Sequence, residues 1–204
     1  VFVETALTRL AQNGYEAYIV GGSVRDSLLG VIAGDWDICT NARPEEILDC
    51  FKDFRVVETG IKHGTVTVFI DRAPVEITTF RIEGRYSDNR HPDRVEFVES
   101  LKADLSRRDF TINAMAFSPQ SGLIDYFGGR EDLLAGIIRC VGDARRRFCE
   151  DALRMLRALR FASVFNFSIA GETSAAIFSE KELLKNISAE RVSAELNLLL
   201  CGAG

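Results

Sequence analysis

Asp35 and Asp37 stand one residue apart, shortly after the pair Gly21–Gly22, in the stretch VGGSVRDSLLGVIAGDWDICT from Val20 to Thr40. On a strand, residues two apart project from one face, so both carboxylates would stand side by side. Acids that close repel each other unless a cation lies between them, and hard oxygen ligands completed by phosphate oxygens suit Mg²⁺. The glycines follow an apolar run, Ala17 to Val20, that reads as a short buried strand, and they precede a helical run, Ser23 to Leu29. A missing Cβ lets the backbone approach a ligand, and the N–H groups that open a helix favour phosphate. Arg25, in the first turn, adds a charged fork for the same anion. A phosphate cradle before a metal clamp is the equipment of two-metal nucleotidyl transfer. Taken singly, Gly-Gly is commonly a turn, and Asp-x-Asp a solvated loop or a glycosyltransferase metal site; order and spacing argue for more.

The stretch as a whole resembles the signature of the DNA polymerase β-like nucleotidyltransferase superfamily. More narrowly, GGSVRDSLLG followed by DWD resembles the class II tRNA nucleotidyltransferase (CCA-adding enzyme) and bacterial poly(A) polymerase family. The resemblance runs from Tyr18 to Leu200. In VEITTF, Glu76 shares a face with Thr78 and Phe80, opposite Val75, Ile77 and Thr79. It reads either as an edge-strand glutamate facing water or as a third carboxylate beside Asp35 and Asp37, which is where the superfamily resemblance places one. The segment DLSRRDFTINAMAF, read alone as a charged turn entering a strand, matches the family's second motif. There Arg108 would contact the nucleotide, with Asp109 and Asn113 in support. LIDYFGGREDL resembles the third motif, whose Asp125 and Gly128–Gly129 would form a hinge. The polar stretch from Glu83 to Leu101 reads as a mobile loop with at most a strand at Val95–Val98. The family's loop helps switch from C to A addition, which would make Asp88, Arg90 and His91 polar contacts.

Farther on, EDALRMLRALRF reads as a helix from Glu150 to Val164, on which Asp151 and Arg154 are neighbours at i, i+3 and Arg160 points away from Asp151. The bland reading is a surface ion pair worth roughly 0.3–0.5 kcal/mol. The segment also resembles the family's EDxxR motif. Cytosine and adenine both present an exocyclic amine beside an unprotonated ring nitrogen. An aspartate accepts from the amine while an arginine donates to the nitrogen; guanine and uracil reverse both dipoles. A fixed Asp151–Arg154 pair would therefore take C and A, with Arg157 and Arg160 reaching phosphate or the preceding domain. AERVSAEL resembles the fifth motif, where Arg191 and Glu195 could lock the helices together.

The elements that must position these residues alternate in type. Helices are expected at Val1–Gln12 and from Pro44, and strands at Phe54–Glu58, Thr65–Ile70 and Val75–Phe80. Past Pro119 there is no proline, and helices are expected at Asp143–Phe148, Glu150–Val164, Thr173–Leu184 and Ala189–Leu200. The fold class expected is an α/β head, a mixed sheet flanked by helices, over 1–138, followed by an all-helical neck over 139–204.

With 47% hydrophobic and 27% charged residues over 204 positions, the composition is that of an ordinary globular protein. No apolar run reaches membrane-spanning length and no secretion signal opens the chain, so a cytoplasmic protein is expected. The 5 cysteines are scattered without a Cys-x-x-Cys pair, and only 2 histidines are present, which argues against disulfide scaffolds, zinc sites and histidine triads. The net charge of −5 leaves local arginine clusters compatible with RNA.

Together these imply template-independent addition of C and A to a tRNA 3′ end from CTP and ATP. Mg²⁺ would be held by Asp35 and Asp37 with Glu76 assisting, and Gly21, Gly22, Arg25, Arg108, Asp109, Asn113, Asp151, Arg154, Arg157 and Arg160 would bind nucleotide. Poly(A) polymerase, a CC- or A-specific enzyme, and a non-catalytic RNA-binding module are the alternatives. Few basic residues follow Arg160, so tRNA binding by these residues alone should be weak and salt-sensitive.

Overall fold

The computed structural model describes residues 2–84 and 95–201. The loop residues Asp88, Arg90 and His91 lie outside the described residues. The chain divides into two compact units. The first comprises Val1–Ile82, Val95–Arg107 and Asn113–Tyr126; the second is built chiefly from Arg108–Ile112 and Phe127–Gly204.

The first unit opens with helix α1 (Phe2–Gln12), whose Val3, Ala6, Leu7 and Leu10 are buried. That i, i+3, i+4 spacing is the apolar stripe of a helix lying on a core. Strand β1 (Ala17–Val20), helix α2 (Gly22–Leu28), strand β2 (Asp37–Thr40) and helix α3 (Pro44–Cys50) follow. Proline at the first position of α3 suits a helix start, and the Glu46 carboxylate accepts the Arg43 N–H at 2.7 Å. Strands β3 (Arg55–Val57), β4 (Thr65–Ile70) and β5 (Ala73–Thr79) complete this half. The β4–β5 hairpin turns on Asp71 and Arg72, both at positive φ, the conformation a two-residue turn between right-twisted strands requires.

A two-stranded ribbon pairs β6 (Arg81–Glu83) with β7 (Val95–Phe97), placing a short strand where one was expected. Helix α4 (Leu101–Ser106) is capped by Ser100, whose hydroxyl accepts the Ala103 N–H. Strands β8 (Met115–Ser118) and β9 (Gly122–Asp125) close the sheet. The seven strands run in the order β3-β4-β5-β2-β1-β8-β9, with the β2–β5 pair parallel and the others antiparallel. Val66, Val68, Val75, Ile77 and Ile38 form one buried face against α1 and α3, joined by Leu10, Ile47 and Phe51. This is the mixed α/β head the sequence pattern implied.

The second unit holds α5 (Gly129–Ala135), β10 (Ile137–Ile138), α6 (Ala144–Glu150), α7 (Leu153–Phe165), β11 (Ser168–Ile169), α8 (Gly171–Glu180) and α9 (Ala189–Leu200). Two departures from expectation stand out. The piece is not all-helical, because Ile137–Ile138 pairs in parallel with Ser168–Ile169. The expected boundary near Ile138 lies inside this unit, which also takes in 108–112. The reason is packing: Phe110 is fully buried, meets Phe161 edge-on at 5.8 Å between centroids, and forms a bridge with Cys140. No helix among the described residues is long and apolar enough to cross a membrane.

Candidate nucleotide and cation site

Strand β2 begins at Asp37, and Asp35 sits in the bend just before it. The expectation that both aspartates lie on one strand therefore holds for Asp37 alone, because Gly34 and Asp35 turn the chain before it extends. What brings the acids together is the sheet. In the parallel β2–β5 pair Asp37 is the direct partner of Glu76, so the two side chains leave the same face of neighbouring strands. The Trp36 carbonyl continues that ladder by accepting the Glu76 N–H at 3.2 Å. The opposite face of β5 carries Val75, Ile77 and Thr79, all buried.

Strand β5 lies between β4 and β2, so the edge-strand reading of Glu76 is ruled out. Glu76 remains exposed on the open face. Partial desolvation by its surroundings raises its pKa, and the charges of Asp37 and Asp35 raise it further. Crowded like charges of this kind are relieved by a cation. Among the described residues no group of three acidic, histidine or cysteine side chains forms a ready-made metal cage.

At the end of β1 the chain turns through Gly21, with φ 73° and ψ −134°. A side chain is strained in that conformation, so the turn calls for glycine. Arg25 is buried at 8% exposure and faces inward. Its Nε donates to Asp26 Oδ1 at 2.8 Å and its Nη1 to Asn113 Oδ1 at 2.6 Å. The fork expected to meet phosphate thus braces the glycine turn against the second motif. Asn113 supports Arg25 here, where the sequence reading had it support Arg108. Arg108 is half-buried directly after Arg107, the C-cap of α4.

The second unit corrects the helix expected at Glu150–Val164. It breaks: α6 ends at Glu150 and α7 starts at Leu153, with Asp151 extended between them at φ −140°. The Asp151 carboxylate accepts the N–H of Leu153, the first residue of α7, at 3.1 Å. Asp151 and Arg154 are therefore not on one helix face. They stay neighbours through a turn in which the Arg154 N–H donates to the Asp151 carbonyl at 3.1 Å.

Each is held by a group other than its neighbour. Arg154 Nη1 donates to Glu150 Oε2 at 2.9 Å and to the Arg147 carbonyl at 3.2 Å. Asp151 Oδ2 accepts from Arg191 Nη2 at 2.9 Å. Asp109, expected beside the nucleotide, takes a two-nitrogen fork from Arg157, with Nε at 3.0 Å and Nη2 at 2.7 Å. Arg160 Nε donates to Glu195 Oε2 at 2.6 Å, and Glu195 also lies 3.7 Å from Arg157 Nη1. Desolvation lowers the Arg157 pKa, but Asp109, Glu195 and Asp151 together outweigh it and the net direction is up. Asp109, Arg157 and Arg160 are thus links in an internal chain of ion pairs.

Glu150 is the residue the sequence reading missed. Its carboxylate joins Arg146, Arg147 and Arg154. Its spacing of four, three and four residues from those arginines was a signal available in the sequence.

A glycine turn and acids on a mixed sheet are the features of this head, and the chain belongs to the poly A polymerase head domain family, which matches residues 17–139, more than half its length. Residues 166–203 match a second family, described as the probable RNA and SrmB-binding site of polymerase A. The chain is 54% identical over 196 residues to a CCA-adding enzyme of Levilactobacillus brevis, covering 96% of this chain and 49% of that protein. A CCA-adding enzyme of Geobacillus stearothermophilus is 49% identical, with 96% of this chain and 48% of the relative covered.

Among solved structures, the Bacillus stearothermophilus CCA-adding enzyme in complex with CTP superposes with a TM-score of 0.90 at 46% identity, over 99% of this chain and 48% of that one. The Thermotoga maritima CCA-adding enzyme complexed with tRNA gives 0.81 at 30% identity, over 98% and 47%. The chain spans about half the length of the curated relatives it matches.

Proposed function

We propose that this chain supplies the nucleotidyl-transfer and base-reading parts of an enzyme that adds C and A, from CTP and ATP, to the 3′ end of tRNA. The observation that carries the reading is the parallel β2–β5 register, which sets Glu76 beside Asp37 with the charge of Asp35 close by. The relatives support the choice of reaction: they are named CCA-adding enzymes, and one solved neighbour holds CTP.

Asp35 and Asp37 would hold divalent cations, Mg²⁺ by their all-oxygen chemistry, which lower the pKa of an attacking hydroxyl and offset charge on departing pyrophosphate. Glu76 assists by adding negative charge on the same face. The backbone at Gly21 and Gly22 cradles the triphosphate, with Arg108 as its cationic contact. Arg25 and Asn113 keep the glycine turn in place. In the second unit, the neck of this reading, Asp151 accepts from the exocyclic amine of cytosine or adenine while Arg154 donates to the ring nitrogen. Asp109, Arg157 and Arg160 hold the helices that carry that pair.

The test is incorporation onto a tRNA lacking its terminal CCA, with each nucleoside triphosphate alone and then all together. Addition of C from CTP alone and of A once C is in place is expected, with UTP and GTP inert. A second reading, poly(A) addition, is favoured by the names of both matched families. Incorporation of A alone, in long runs, would establish it in place of the first.

A further inference from the structure

We infer that Trp36, the residue between the two aspartates, is a positioning residue for the cation: anchored on the core side of the sheet, it sets the spacing of Asp35 and Asp37. This rests on the cation-holding role proposed for that pair.

Two acids clamp one ion well only if their separation is fixed before the ion arrives; otherwise binding must also order the chain. Asp37 is fixed by its place in the ladder opposite Glu76. Asp35 lies outside that ladder, in the bend before β2. Upstream support is thin, for Gly30 turns at φ 73° and Val31 and Ile32 are 57% and 94% exposed. Trp36 supplies the support from the other side. Its carbonyl accepts the Glu76 N–H at 3.2 Å. Its side chain leaves the face opposite Asp37 and packs with the core, meeting Phe2 of α1 edge-on with ring centroids 6.4 Å apart.

The indole is also one wall of an apolar cavity of about 320 Å³, bounded by Ile19, Val24, Leu28 and Phe117. A smaller side chain at this position would widen the cavity, and the bend that carries Asp35 would lose its anchor. Trp36 touches neither ion nor nucleotide in this scheme. It acts through the backbone of the acids on either side.

The experiment is Mn²⁺ binding, followed by loss of the free-ion electron paramagnetic resonance signal, to the wild-type protein, W36A, W36F, F2A and D37A, each with a thermal melt. The site is the binding that D37A lacks. W36A should weaken it by roughly 10-fold, the scale of a lost supporting group behind a metal ligand. W36F, which keeps a ring against Phe2, should restore most of that affinity, and F2A should weaken it by less than W36A. Trp36 is the only tryptophan in the chain, so its emission reports the same event. Emission should change along the wild-type Mn²⁺ isotherm and stay flat in D37A. Full Mn²⁺ affinity in W36A, whatever its melting temperature, overturns the proposal in favour of core packing alone. Flat wild-type emission while Mn²⁺ binds overturns it as well. Should W36A fail to fold, F2A decides: wild-type affinity there refutes the anchor. A wild-type protein that binds no more Mn²⁺ than D37A would overturn the cation-holding assignment beneath.

Discussion

Two clusters, one in each unit, treat charge in opposite ways. At the start of β2 and on β5 of the first, Asp35, Asp37 and Glu76 gather like charges, and the pKa of Glu76 is raised by desolvation and, beyond that, by those charges. In the second, carboxylates are matched with arginines: Asp109 with Arg157, Glu150 with Arg147 and Arg154, Asp151 with Arg191, and Glu195 with Arg160. A cluster of one sign needs something from outside to balance it, and the sheet tolerates it because the face is open to water. A lattice of both signs balances itself and spends its charge on geometry. The first arrangement suits chemistry and the second suits recognition, where groups must stay still.

The largest effect should come from the first region. Asp37→Ala should cut nucleotide incorporation by roughly 10³-fold, since a metal clamp contributes several kcal/mol to a phosphoryl-transfer barrier. Thermal melting should move little, because the residue stands on the open face. An Asp37→Ala protein with near-normal turnover would remove the contrast between the units.

Next in size is a stability effect in the second. Glu195→Ala leaves Arg160, whose side chain is 15% exposed, without its carboxylate. Loss of a largely buried charge partner should cost about 2–3 kcal/mol, measured by denaturant unfolding. Incorporation should fall far less than for Asp37→Ala.

The smallest effect sharpens the comparison by its sign. With its pKa raised, Glu76 weakens the metal-free fold at neutral pH, fully above its raised value and not at all below the ordinary one. Glu76→Gln should therefore stabilise the metal-free protein near pH 7, by less than about 0.5 kcal/mol because the exposed group is screened. The gain should vanish by about pH 4, the ordinary range for glutamate. Wild-type affinity for Mg²⁺ should fall as pH drops through the Glu76 titration, and more steeply than in the variant. Paired melting curves and Mg²⁺ titrations would check both signs; a destabilised Glu76→Gln protein at pH 7 would count against like-charge crowding.

Much of this molecule follows from local sequence. The alternation in VEITTF assigns Val75, Ile77 and Thr79 to the buried face, because side-chain direction on a strand is set by neighbours two residues away. Proline at position 44, the stripe of Phe2–Gln12, and glycine where φ reaches 73° are equally local. Three matters were decided only by tertiary structure. Asp37 and Glu76 became neighbours through a parallel pairing of strands distant in sequence, which no short-range pattern encodes. Asp151 left the helix, its carboxylate accepting the Leu153 N–H and binding Arg191 from α9, a partner that spacing cannot name. Phe110 drew 108–112, the middle of the second motif, into the second unit by packing on Phe161. Local periodicity determines which way a side chain points; what it meets there, among arginines long enough to reach several carboxylates, is settled by packing.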